Sequence, residues 1–170
     1  MKKHVETDFW LHTGEILQQL SQGGVLCSVI DKAGKPNLIT LGWGLIGPFY
    51  HGHPILAIAV TPERYSWHAL EETDEFTIAV PDQHIADAVA CCGRYSGRDV
   101  DKFSITHLTA VPGKLVRSYA VQECPLNLEC RIYTRVYPPH QLLTPEHRQR
   151  PLEKQHTIYF AEVVAAYTWV

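Results

Sequence analysis

LNLECRIYTRVYP, residues 126–138, alternates apolar and polar side chains along most of its length and stops at a proline. A period of two puts one set of side chains on a core face and the other outward, so the stretch reads as a long β-strand. A second long candidate, HTIYFAEVVAAYTWV (156–170), closes the sequence. Between them the polar, proline-broken PPHQLLTPEHRQRPLEKQ (138–155) predicts a surface loop.

Toward the N-terminus, VLCSVI (25–30) and NLITLGW (37–43) predict a hairpin whose turn is closed by Gly34 and Pro36. The almost unbroken apolar run PILAIAV (54–60) predicts a central strand buried on both faces, and FTIAVP (76–81) a further strand ended by its proline. HLTAVP (107–112) and KLVRSY (114–119) are short candidates. Three short helices are expected among these. HTGEILQQLS (12–21) has Thr13 as its N-cap and Gly23-Gly24 as its stop, and YSWHALEETDEF (65–76) is capped by Ser66. HIADAVACCGR (84–94) aligns Ile85, Val89 and Cys92 on one face and stops at Gly93. About seven strands without regular βαβ alternation argue against a doubly wound sheet and predict a mainly β (α+β) fold, an antiparallel barrel with short helices outside.

The chain has 170 residues, 45% apolar and 19% charged, an ordinary composition for one domain spanning residues 1–170. Its formal net charge of −3 supplies no bulk field for nucleic acid or anionic lipid, so any anion must be held locally. No apolar stretch is long enough for a signal peptide or a membrane span, which predicts a cytoplasmic protein. Five cysteines without CxxC or zinc-finger spacing predict free thiols. Adjacent Cys91 and Cys92 diverge by about 100° on a helix and are not expected to pair with each other. His51 and His53 stand two apart in an extended segment with no third ligand nearby, so no metal is assigned.

Three stretches carry candidate chemistry. In CCGRYSGRDVDKF (91–103), Ser96-Gly97 predicts a tight turn using positive φ at the glycine, and Asp99 or the nearby backbone starts a following helical turn, leaving backbone N–H groups beside Arg98 and Lys102 for an anion. In TPERYSWHAL (61–70), the Ser66 hydroxyl, the first helix amides and the Arg64 guanidinium are expected to converge on one phosphate. In NLITLGWGLIGPFY (37–50), glycines 42, 44 and 47 interrupt a strand and mark either a bend or the approach of a flat ligand to backbone amides near Trp43. Each stretch alone also fits a solvated, ligand-free surface.

Taken in order, GKPNLITLGW, PERYSWHAL, EFTIAVP, CCGRYSGRDVDKF, LECRIYTRVY and HTIYFAEVVAA resemble the flavin reductase-like family, the FMN-binding split-barrel proteins that include flavoredoxin. The resemblance covers roughly residues 22 to 168. It implies a split β-barrel that binds FMN noncovalently, with FAD as an alternative, usually as a homodimer with the flavin near the interface. On this chain it implies an isoalloxazine edge against Thr40, Leu41, Gly42 and Trp43, with Asn37 close by. The phosphate would meet Arg64, Tyr65 and Ser66, helped by Lys102, while Ser96, Gly97 and Arg98 form part of the cofactor wall. NADH or NADPH would be the electron donor, and a redox partner or oxygenase the recipient. No catalytic side chain is assigned, since a flavin carries its own redox chemistry. Three classes stay open: an NAD(P)H-dependent reductase, a flavoredoxin-type electron carrier and a flavin-binding module without turnover. Two features depart from the family pattern, the histidine-bearing PFYHGHP (48–54) and the bulky Trp67 after Ser66.

Overall fold

The computed structural model describes residues 3–170. Ten strands form: β1 (His4–Glu6), β2 (Val25–Ile30), β3 (Pro36–Leu41), β4 (Gly44–Pro48), β5 (Pro54–Val60), β6 (Glu75–Val80), β7 (Ala110–Pro112), β8 (Tyr119–Val121), β9 (Leu126–Val136) and β10 (Thr157–Trp169). Eight of them build one antiparallel sheet in the order β3-β2-β6-β9-β10-β5-β4, with β1 added beside β10. The small β7-β8 ribbon stands apart.

The two long stretches read as strands are its axis. β9 and β10 pair from Leu126↔Thr168 to Val136↔Ile158, with register shifts at Phe160/Ala161 and Val163/Ala165. A 13-residue strand cannot remain flat in a twisted sheet, and such bulges let it bend around the core. Its first half pairs with β5 and its second with β1. The end strands β3 and β4 are joined only by Gly42 and Trp43, so the curled sheet is split between them.

Period-two side chains feed two apolar clusters. Val25, Cys27 and Val29 of β2 enter the barrel interior with Phe76, Leu128 and Tyr159, while Leu26 faces a second cluster with Leu38, Val89, Cys92 and Phe103. β5 lies between β4 and β10 and is buried throughout from Leu56 to Val60, as its apolar run requires. Buried Glu129 accepts the amides of Lys114 and Leu115, each at 2.6 Å, and the Tyr167 hydroxyl at 2.9 Å, so the carboxylate is fully solvated by protein donors.

Four helices lie outside the sheet: α1 (Thr13–Gln22), α2 (Tyr65–Glu72), α3 (Ala86–Arg94) and α4 (Lys102–Thr106). Their ends correct several expectations. A 3-10 turn, Phe9–His12, precedes α1 and is capped by Asp8, so Thr13 is not the cap; its hydroxyl donates back to the Trp10 carbonyl. Extended Arg64 precedes α2, which places Ser66 inside the helix. α3 runs past Gly93 to Arg94. Asp101, not Asp99, caps α4 by accepting from the Ser104 amide. Of KLVRSY, only Tyr119 is in a strand. All five cysteines are free. No helix among the described residues is long and apolar enough to cross a membrane.

Candidate functional site

Two adjoining chambers, of about 130 and 180 Å³, lie along β3 and the Gly42–Trp43 segment that leaves it. Ile39, Arg64 and Gly93 line both, so the two form one continuous cleft. The first chamber gathers Asn37 from β3, Arg64, Tyr65 and Ser66 from the start of α2, Ser96, Gly97 and Arg98 from the turn after α3, and Lys102 from α4. The second is walled by Thr40, Leu41, Gly42 and Trp43, where the chain leaves β3. The fold therefore brings all twelve sequence-predicted residues to one cleft, although they are spread over 66 positions from Asn37 to Lys102.

Polar contacts set the shape of the first chamber. Buried Asn37 donates from Nδ2 to the Ser66 hydroxyl at 2.8 Å, tying β3 to α2. The amides of Tyr65 and Ser66, in the first turn of α2, have no carbonyl one turn back to bond. Gly97 has an ordinary φ, contrary to the expected positive value. Its absent side chain matters instead, since a Cβ there would lie 2.7 Å from Asn37 Cγ and 2.6 Å from Tyr65 Cδ1. Three of the turn's amides are already bonded: Arg98 N donates to the Ser96 hydroxyl, and Asp99 N and Val100 N donate to the Ser96 carbonyl. Side chains and the α2 terminus are the further candidate anion donors in this chamber.

Positive charge accumulates there. Lys102 is 4% exposed, and its ammonium donates to the carbonyls of Leu38 and Cys92, each at 2.7 Å. An ammonium has three N–H groups, so one is left for the chamber. Burial holds the Lys102 pKa below its ordinary value, Cys92 opposes this, and the nearby Arg64 cation lowers it further. The one carboxylate on the chamber wall, Glu63, is already held by Lys154 at 2.7 and 2.9 Å. Arg98 donates to the Glu63 carbonyl and, with Lys35, flanks the Tyr65 ring. The cations Arg64 and Lys102 on this wall make no ion pair with a carboxylate among the described residues.

The second chamber is different in kind. Thr40 donates its hydroxyl to the Val89 carbonyl at 2.6 Å, and a Cβ on Gly93 would come within 3.3 Å of Thr40, so α3 sits close against the wall. Trp43 is 43% exposed at the mouth. His156 also lines this chamber, and burial together with Arg150, Arg64 and His140 lowers its pKa. Nothing around a lone histidine ahead of a strand marks it in the sequence; Lys35, Gly93 and His156 were all missed.

The other singled-out residues fall elsewhere. Trp67 turns inward, packs on the barrel core and donates its indole N–H to Thr157 at 2.9 Å. His51 and His53 border a separate cavity beside Phe49, Tyr50 and Tyr133, with His53 3.3 Å from Glu162, and share no wall with the two chambers. Cys92 lines the first chamber as a buried thiol whose pKa burial pushes up to about 11, partly opposed by Lys102.

The cleft suits a phosphorylated planar cofactor: cations, a hydroxyl and helix amides at one end, backbone and an aromatic ring at the other. Comparison with known proteins agrees. An uncharacterized protein of Archaeoglobus fulgidus is 32% identical over 108 residues, 64% of this chain and 60% of that one. The chain thus spans less than two thirds of that relative's length. Flavoredoxin of Methanosarcina acetivorans superposes with a TM-score of 0.69 at 26% identity, over 86% of this chain and 68% of that one. Flavoredoxin of Desulfovibrio vulgaris has the same fold, with a TM-score of 0.69 at 23% identity over 85% and 68% of the two chains. The flavin reductase like domain matches residues 17–169, nearly the whole sequence, and the chain belongs to that family.

Proposed function

We propose that this chain is a flavin-dependent oxidoreductase that holds FMN in the two-chamber cleft and passes electrons from NADH or NADPH to an acceptor. The observation that carries this is the cleft's polarity, with uncompensated Arg64 and Lys102 at one end and the Thr40–Trp43 backbone with an aromatic ring at the other. Arg64, Ser66, the α2 amides and the third N–H of Lys102 would hold the phosphate. Tyr65, Ser96, Gly97 and Arg98 would form the wall around it, and Asn37 would keep Ser66 in place. The backbone from Thr40 to Trp43 would meet the polar edge of the ring system, with amides placed to stabilise negative charge there. When bound, FMN supplies the hydride- and electron-transfer chemistry, and the protein supplies position, electrostatics and exclusion of water.

The proposal includes a homodimer. The exposed aromatic surface of Trp43 and Tyr50 suits a second copy. The likeness to flavoredoxins favours a second reading, an FMN-holding carrier that exchanges electrons with another redox protein. An absorbance spectrum of the FMN-loaded protein under anaerobic NADH and then NADPH separates the two. Flavin bands bleached by a nucleotide support the reductase, and bands that neither nucleotide bleaches support the carrier. No binding of added FMN defeats both. Light scattering on the same preparation should give twice the 19.2 kDa chain mass.

A further inference from the structure

Past Trp43 the cleft continues into a third cavity, of about 130 Å³, whose wall shares Trp43, Ala59 and His156 with the second chamber. We propose that this cavity is a subsite for a small carboxylic acid with an apolar, planar body, held beside the flavin with its carboxylate on Arg150. The assignment of a neighbouring flavin rests on the function proposed above; the cavity's anion chemistry does not.

The cavity is built from the loop that the sequence marked only as polar. Gln155, 8% exposed, accepts from the His140 amide at 2.9 Å and donates to the Arg150 carbonyl at 3.0 Å, so one buried side chain pins both ends of the loop. His140 Nε2 donates to the His156 carbonyl at 2.7 Å, and Lys154 anchors the same segment to Glu63. Arg150 is thereby positioned on the cavity wall through its backbone, and its guanidinium makes no ion pair among the described residues.

Charge and shape then select the ligand. No carboxylate lines this cavity or the second chamber. Arg150 is a permanent cation with a planar fork of donors that matches a carboxylate. His156, kept neutral by burial and by the surrounding cations, retains a ring N–H as a further donor. Leu142, Ile158 and Trp43 line the same cavity and give it apolar and aromatic surface for a flat ring. A volume of about 130 Å³ suits a small acid.

The test is calorimetric titration of the FMN-loaded protein with benzoate, and with benzamide as its neutral isostere. Benzoate should bind at least about tenfold more tightly, and Arg150→Gln should erase that preference while the FMN Kd stays within about threefold. Arg150→Lys, which keeps the charge, should retain a preference for benzoate and so separates loss of charge from loss of fold. Equal binding of benzoate and benzamide, or a preference that survives Arg150→Gln, overturns the proposal. Arg150-dependent displacement of benzoate by ADP overturns it also, because the cavity would then receive a nucleotide phosphate. If no FMN binds, the flavin reading fails separately, and the same benzoate titration on the flavin-free chain still decides the role of Arg150.

Discussion

Replacing Arg64 with alanine removes the one cation that lines both chambers of the cleft. A hydrogen bond to a charged group contributes about 1.5–3 kcal/mol. Arg64 is solvent-exposed on one side, so screening places its contribution near the lower end of that range. Buried Lys102 and the Ser66 hydroxyl remain, so binding is weakened without being lost. The expected result is about a tenfold rise in the FMN Kd, since about 1.4 kcal/mol corresponds to one decade. Quenching of flavin fluorescence measures it, with riboflavin as the internal control because it lacks the phosphate. Arg64→Ala should leave the riboflavin Kd within about threefold of the original, and raised ionic strength should shrink the difference between the two proteins toward FMN. An unchanged FMN affinity, or equal losses for FMN and riboflavin, would refute a phosphate at the α2 terminus.

Gly97→Ala puts a methyl group against Asn37 and Tyr65, with Asn37 Cγ 2.7 Å and Tyr65 Cδ1 2.6 Å from the new Cβ, so it should cost about 1–3 kcal/mol in a urea melt and weaken FMN together with the Asn37–Ser66 bond. A melt indistinguishable from the original protein would mean the turn yields freely. Stability should fall as the pH drops below the ordinary histidine value of 6.5, because burial lowers the pKa of both His4 and His156. The unfolded chain then takes up protons before the folded one, so stability present above that pH is lost below it. Melts at several pH values, repeated on His4→Phe and His156→Gln, check this; a slope that neither substitution reduces would assign the effect to other groups.

Local sequence settled those features that depend on side-chain periodicity and on the covalent limits of the chain. The alternation of 126–136, the apolar run 54–60 and the Gly34-Pro36 turn dictated strands and a hairpin because a strand exposes two faces with a period of two. The cations and hydroxyls of PERYS and SGRDVDK already pointed to an anion, since few other ligands suit that mixture. Helix caps were less legible: Ser66 is of a residue type preferred at an N-cap, yet it lies inside α2 and Asn37, 29 residues away, donates to its hydroxyl. Gly97 was singled out for the wrong reason, since its role comes from the side chains of Asn37 and Tyr65 approaching across space.

Only the tertiary structure decided which groups are buried, which are already paired and which share a wall. The sequence marks Lys102 as a cation for an anion site but not its burial; folding places its ammonium between two carbonyls beside Arg64. Three of the turn amides beside the expected anion, those of Arg98, Asp99 and Val100, are taken by Ser96, whereas Arg150 and His156, unremarkable in their own segments, share a cavity wall with Trp43. The physical reason is one of range. Periodicity and turn chemistry act over a few residues and can be read in order, while desolvation and charge proximity depend on neighbours that sheet pairing brings from distant parts of the chain.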